Sequence, residues 1–302
     1  YESAKKLFGG KLAKYLDDPK MAKKLSKALK IPINAVYGLT SARFENPFYD
    51  KRNVNNIVAL RGALFMKTLF DEVTAKGFRI IHVKTDSIKI AEATPEIIQF
   101  CMDFAKKYGY TFEHEATYEK ICLVNNAVYV AKAATPEWCQ QTYGYLPEEN
   151  EPSYLEENGY WTATGTQFQV PYVFKTLFSR QPVDFEDKCE VKSSKEGALY
   201  LDFNEGMPEG EHNYRFVGKV GQFTPMKNGS GGAKLLVKRE DKKTGETKYV
   251  NAPGATEYRW MESEMVRISN KQDLVDENFY ISLVDDAKAA VNKYGDFEWF
   301  TS

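Results

Sequence analysis

The amino-acid sequence predicts an α+β fold with antiparallel sheets. Three observations carry that expectation. Helix-period stretches fill much of residues 3–108, a tight hairpin interrupts them at 78–90, and a Gly-punctuated, strand-rich stretch occupies 214–252. With 43% hydrophobic and 14% aromatic residues, the 302-residue chain can bury a full core, in two or three domains, and is not of the disordered class.

In chain order, Ser3–Leu16 and Asp18–Ala35 read as two helices of an antiparallel helical hairpin. The break falls at Asp17-Asp18-Pro19, where proline suits a first helical position. Met21, Leu25, Ala28, Leu29, Pro32 and Ile33 supply the second helix with an apolar stripe, and Pro32 predicts an irregularity near Lys30. Lys30 and Asn34, four residues apart, share one face, and Tyr37-Gly38 follow a turn later. Gly38 is also a natural helix end. Val54–Lys76 is an amphipathic helix. Arg79–Val83 and Ile88–Ile90 then flank the polar turn Lys84-Thr85-Asp86-Ser87, a hairpin signature. Asp86 is held there where it could meet a hard cation such as Mg²⁺, although aspartate and serine are also ordinary turn formers.

Thr94–Tyr108 is a helix with Thr94-Pro95 as cap and first residue, its apolar side formed by Ile97, Ile98, Phe100, Cys101, Phe104 and Ala105. Tyr110–Tyr118 and Lys120–Lys132 read as strands, the latter turning at Asn125-Asn126. Acidic, Pro- and Gly-punctuated Ala133–Tyr160 reads as a linker or surface insertion. Trp161–Leu177 mixes aromatics with Lys175, a pattern found in cores more often than in nucleic-acid grooves. Within 214–252, Lys234–Arg239 and Thr247–Asn251 pair across a turn at Thr244-Gly245. The loop Asn228–Gly232 lacks the Gly-Lys-Ser/Thr ending that seats a phosphate. Asp276–Tyr294 is a helix, followed by an apolar plug of Phe297, Trp299 and Phe300.

The net charge of −1 conceals segregation. Lysines from Lys5 to Lys30 crowd the start, and Glu148, Glu149, Glu151, Glu156 and Glu157 cluster mid-chain. A local lysine field can attract phosphate backbones, and it can equally be a solvated helix face. Cys101, Cys122, Cys139 and Cys189 lie far apart without zinc-ligand or disulfide-framework spacing, which fits a reducing cytoplasm. No apolar run approaches the roughly 18 residues of a membrane span, and no signal pattern opens the chain. Tyr1 is not an initiator methionine and stands inside a helical pattern, so a longer parent polypeptide is expected.

The spacing Lys30-x-x-x-Asn34-x-x-Tyr37-Gly38 within LKIPINAVYGLTSA resembles the fingers motif of family-B DNA polymerases. The HVKTDSIKI hairpin resembles a palm motif of the same family, and the helix carrying Leu60-Arg61-Gly62 resembles the palm helix between them. The three occur in family order, and NPFYDKRNVNNIVALRG points to the bacteriophage type. The resemblance implies helical-hairpin fingers over 1–38, an antiparallel-sheet palm with packed helices over 39–132, and a mixed thumb and C-terminal β-rich region over 133–302.

It further implies template-directed transfer of a nucleotide from a dNTP to a primer 3′-hydroxyl, assisted by two Mg²⁺ ions, in the cytoplasm of a bacterial host and without a membrane partner. Lys30 would grip the triphosphate beside Asn34, Tyr37 would pack on the nascent base pair, and Gly38 would leave the backbone room. Asp86 would bind metal with Glu119 near it, and Lys120 and Tyr129 would contact primer-template DNA. Three positions depart from the family: Ala35 replaces a common serine, Lys84 a usual second aspartate, and Ala127 the lysine of a Lys-x-Tyr primer motif. The family's other metal-binding aspartate lies upstream of the fingers, so an upstream segment, in a longer polypeptide or as a separately encoded N-terminal half, is expected to supply it, and the chain alone is expected to be inactive. The alternative is a non-catalytic remnant that holds primer-template DNA through lysine–phosphate contacts.

Overall fold

A computed structural model describes residues 19–143, 158–204, 208, 210–241 and 244–302. The architecture is mixed α+β with antiparallel sheets, and the chain divides into compact units at Phe112/Glu113. The expected segment 39–132 spans that division. No described helix is long and apolar enough to cross a membrane. The expected helix Ser3–Leu16, and with it the helical hairpin, lies outside the described residues.

The first unit opens with α1 (Pro19–Ser41). The expected end at Ala35 is corrected: the helix continues through Pro32 and Gly38. Its last turn is closed by hydroxyls, since Thr40 Oγ1 donates to the Tyr37 carbonyl at 2.7 Å and Ser41 Oγ to that of Gly38 at 3.1 Å. Side chains that satisfy terminal carbonyls let a helix run past a glycine. The expected helix Val54–Lys76 is two, α2 (Lys51–Val54) and α3 (Ile57–Ala75). Asn56 separates them in the left-handed conformation at φ 61°, which asparagine tolerates. Asp50 caps α2 by accepting from Arg52 N–H at 2.8 Å.

The hairpin forms as expected from β1 (Ile80–Val83) and β2 (Ile88–Ile90), and α4 (Pro95–Lys107) follows. Leu69 and Val73 of α3 pack with Ile97, Cys101 and Phe104 of α4, and Ile80, Ile88 and Ile90 of the hairpin lie against this cluster. The expected strand Tyr110–Tyr118 does not form before Tyr118. Its aromatics pack instead: the Phe65 ring lies 4.9 Å from that of Tyr110 and 5.7 Å from that of Phe112, while Tyr110 N–H closes the end of α4 on Ala105.

In the second unit β3 (Tyr118–Leu123), β4 (Tyr129–Ala133) and β5 (Trp161–Ala163) form one antiparallel sheet. The turn sits at Asn125 but is longer than two residues, because Asn125 Oδ1 accepts from the backbone of both Ala127 and Val128. The expected linker begins with a helix, α5 (Pro136–Tyr143); residues 144–157 lie outside the description. Then come α6 (Thr166–Gln169) and α7 (Pro171–Phe174), the latter running into a π-helical turn at Lys175–Ser179.

Trp161, Phe168, Val173, Leu177 and Phe178 are core. They pack with Ala287 and Val291 of α9 (Asn278–Asn292) and with Phe297 and Phe300 of α10 (Phe297–Thr301). Trp299, expected in the same plug, is 66% exposed because it lies on the outer side of α10. Gly165, at φ 90°, is required: a Cβ there would sit 2.8 Å from both methyls of Val128.

The remaining strands are β6 (Glu190–Ser193), β7 (Ala198–Asp202), β8 (Tyr214–Gly218), β9 (Val220–Met226), β10 (Lys234–Glu240), β11 (Thr247–Asn251) and β12 (Arg259–Glu262); α8 (Ser263–Ile268) precedes α9. They make sheets ordered β12-β9-β6 and β11-β10-β7-β8, with β10 and β11 paired as expected. Leu199, Leu201, Phe223, Leu235 and Val237 enclose Trp260 with Phe279 and Tyr280, and the Trp260 indole N–H donates to the Ala255 carbonyl at 3.1 Å.

Candidate functional site

Lys30, Asn34, Tyr37 and Gly38 recur at helical spacing on the single helix α1, so they form one stripe, and all are exposed. Tyr37 retains 47% of its surface. A Cβ on Gly38 would meet nothing within 4 Å. Packing in this chain therefore does not demand glycine at a position where it costs a helix roughly 1 kcal/mol relative to alanine. The result is bare backbone beside an exposed ring and amide. Ile31 and Ile33, at 71% and 68% exposure, leave apolar surface next to the stripe.

Asp86 sits at the tip of the β1–β2 turn, closed by the Lys84 N–H donating to the Ser87 carbonyl at 2.9 Å. Ile81 is the extra residue of a bulge, since Ile80 pairs with Ile90 and His82 with Lys89. Lys84, Thr85 and Asp86 are exposed. Beside the turn a trough of about 560 Å³ runs between α3 and β1, floored by Ala63, Met66, Phe70 and Ile80 and reaching Lys84.

Glu119, Lys120 and Tyr129 belong to the β3–β4 hairpin of the second unit. Glu119 is the extra residue where Tyr118 pairs with Ala133 and Lys120 with Lys132. Its carboxylate lies 3.7 Å from Lys132 Nζ, both side chains about three-quarters covered (24% and 25% exposed). Lys120 Nζ donates to the carbonyls of Trp299 at 3.0 Å and Ser302 at 2.9 Å and stands 5.1 Å from the centre of the Trp299 ring. The Tyr129 ring is 6.3 Å from that of Tyr118, whose hydroxyl pKa is raised by burial first and by Tyr129 next.

The structure thus gathers the expected residues into one helical stripe, one turn and one hairpin. Sequence reasoning missed Lys132 and Trp299. The Glu119–Lys132 pairing depends on a bulge that alternation does not reveal, and Trp299 is 179 positions from the lysine it meets.

For Mg²⁺, the Asp86 carboxylate is accessible and of the right donor type. Among the described residues, however, no group of three or more His, Cys, Asp or Glu side chains is placed to hold a metal ion. A hard divalent cation takes about six oxygens, several from protein, so Asp86 does not complete a two-ion site by itself. No protein-family model matches the chain, and no curated protein matches it.

Proposed function

We propose that this chain carries the nucleotide-gripping and catalytic-carboxylate parts of a template-directed DNA polymerase, of the family-B bacteriophage type. The observation that carries the reading is the exposed stripe of α1, where Lys30, Asn34, Tyr37 and a glycine with no packing role stand in line. Transfer of a nucleotidyl group depends on positioning and charge neutralisation more than on covalent chemistry, and this stripe offers both. Lys30 would hold the triphosphate of a dNTP, Asn34 would add a hydrogen bond, and the Tyr37 ring would face the new base pair across the bare backbone of Gly38. Asp86 would bring its carboxylate to the reacting end from a rigid turn. The metal ligand set requires further carboxylates, and the reading assigns at least one to an upstream segment. Lys120 and Tyr129 would lie along the primer-template DNA.

Two experiments test this. A fluorescent dNTP titrated against the chain with Mg²⁺ should bind, and Lys30→Ala should weaken binding about tenfold, the scale of one charge-assisted contact. Primer extension by the chain together with its upstream coding region should fall by at least about two orders of magnitude in Asp86→Ala, as when a preorganised charge is removed from a reacting centre. Nucleotide binding indifferent to Lys30→Ala would overturn the stripe's role. Duplex binding without extension, unchanged by Mg²⁺ or by Asp86→Ala, would identify a DNA-holding remnant instead.

A further inference from the structure

The sheet β11-β10-β7-β8 has two unlike faces. Leu199, Leu201, Leu235 and Val237 point into the core of the second unit. Alternation and register put Tyr200, Tyr214, Phe216, Lys238 and Tyr249 on the other face, since Tyr200 lies opposite both Leu236 and Phe216, and Lys238 opposite Tyr249. Leu236, also on that face, is only 7% exposed. Tyr200 stands directly across from it.

The rings of this face form a connected tier. Tyr214 stacks on Tyr249 at 3.9 Å and 11°, and the His212 ring stacks on Tyr214 at 4.8 Å and 12°. Tyr200 meets Tyr249 and Phe216 edge-on at 5.2 and 5.5 Å. The His212 ring is fixed from beneath: its Nδ1–H donates at 2.8 Å to Asp202, a carboxylate 1% exposed whose other oxygen accepts from the Asn213 N–H at 2.9 Å. Phe216 keeps the most surface, 64% exposed, against 42% for the His212 side chain, while Tyr200, Tyr214 and Tyr249 are partly covered.

Charge completes the picture. Lys234 and Lys238 lie along the same face of β10, and among the described residues neither is paired with a carboxylate; Lys238 Nζ stands 5.8 Å from the Tyr249 ring centre. The acids of this face are Asp202, covered and engaged by His212, and Glu240 at the far end of β10.

We propose that this face binds single-stranded nucleic acid, with unpaired bases stacking on Phe216 and the adjoining tyrosine rings and with Lys234 and Lys238 meeting the phosphates. Every base has a π face to offer, and a base already stacked inside a duplex does not expose it, so the surface selects unpaired strands. A sugar chain would also lie on aromatic rings, but it leaves the two lysines without a counter-charge. The proposal goes beyond the nucleotidyl-transfer reading and does not depend on it.

The test is fluorescence anisotropy of a labelled oligo-dT on the full chain in EDTA, so that Asp86 and metal play no part. Binding should weaken steeply with salt, and Phe216→Ala should weaken it by about 5-fold to 150-fold, the effect of losing one base–ring stack. Phe216→Trp should restore it. Lys234→Gln with Lys238→Gln should reduce the salt dependence while unfolding stays at the wild-type temperature. An abasic oligonucleotide should bind like the Phe216→Ala pairing. Equal binding of oligo-dT by wild type and Phe216→Ala would overturn the proposal, as would equal affinity for the abasic strand or for a duplex. A neutral hexasaccharide that binds wild type and not Phe216→Ala would overturn it in favour of a sugar surface.

Discussion

The two compact units keep their apolar side chains in different ways. The first closes on one small cluster, Leu69, Val73, Ile97, Cys101 and Phe104, and leaves Ile31, Ile33, Leu60 and Leu64 each more than 60% exposed. The second builds two larger clusters around Trp260 and around Trp161 and Phe178, each closed by strands on one side and α9 on another. Burial of apolar area is the main stabilising force, so the second unit can stand on its own core while the first has helix surface suited to cover by something else. The stripe of α1 and the Asp86 turn both belong to the thinly cored unit. The proposed nucleotide role fits that placement, because segments that accept a ligand are drawn from the less stable end of a structure.

The sequence itself provides separate probes of the two units. All four tryptophans, Trp138, Trp161, Trp260 and Trp299, lie after Glu113, and Cys101 is the one cysteine before it. The largest expected effect is that of Trp260→Ala. It should cost about 3–5 kcal/mol and lower the urea midpoint followed by tryptophan fluorescence, while leaving the unfolding of the first unit unchanged. An equal shift in both would mean that the units unfold as one.

Next in size, Gly165→Ala should cost about 1–3 kcal/mol, read by the same fluorescence, because it adds both a left-handed strain and a clash with Val128. A neutral result would show that the β4–α6 junction yields easily. Smaller still is a kinetic effect. Burial pushes the Cys101 thiol up to about 11, so its alkylation at pH 8 should be slow and limited by opening of the first unit. Labelling faster than the fluorescence-detected unfolding would sharpen the contrast, and labelling at the same rate would remove it.

The smallest effect is one of pH. The Arg52 side chain and backbone beside Asp50 lower its carboxyl from 3.8 to about 2. Because the folded value is the lower one, the stabilisation is complete above pH 3.8 and is lost as pH falls through about 2. Asp50→Asn should flatten that part of the acid-unfolding curve followed by circular dichroism, and an unchanged curve would place the acid sensitivity elsewhere.

What was legible in the chain was local. The hairpin at Asp86, the Thr94-Pro95 start of α4 and the β10–β11 pair each carry their pattern and their punctuation within a dozen residues. The common face of Lys30, Asn34 and Tyr37 follows from spacing alone. What misled was pattern without context. Tyr110 and Phe112 alternate like a strand, yet their rings have Phe65 to pack on. Asn56 breaks a helix that periodicity would join, and Gly38 fails to end one because two hydroxyls take up the loose carbonyls. The ion pair of Glu119 depends on a one-residue bulge, which reverses the facing that alternation assigns.

The manner in which α1 is fastened has a mechanical side. Its C-terminal turn is held by Asn53 Nδ2 donating to Thr40 Oγ1 at 2.5 Å, by Asp50 N–H donating to the Thr40 carbonyl at 3.2 Å, and by Asn46 Nδ2 donating to the Leu39 carbonyl at 3.0 Å. Residues from Lys30 to Gly38 are exposed. Were α1 to tilt about Thr40, Lys30 would ride roughly 15 Å out along it at the helical rise per residue. A pivot of about 10° would then sweep the ammonium through on the order of 3 Å, about the length of one hydrogen bond. Under the proposed triphosphate contact, a change small enough to be absorbed by these three polar contacts would decide whether Lys30 reaches its phosphate.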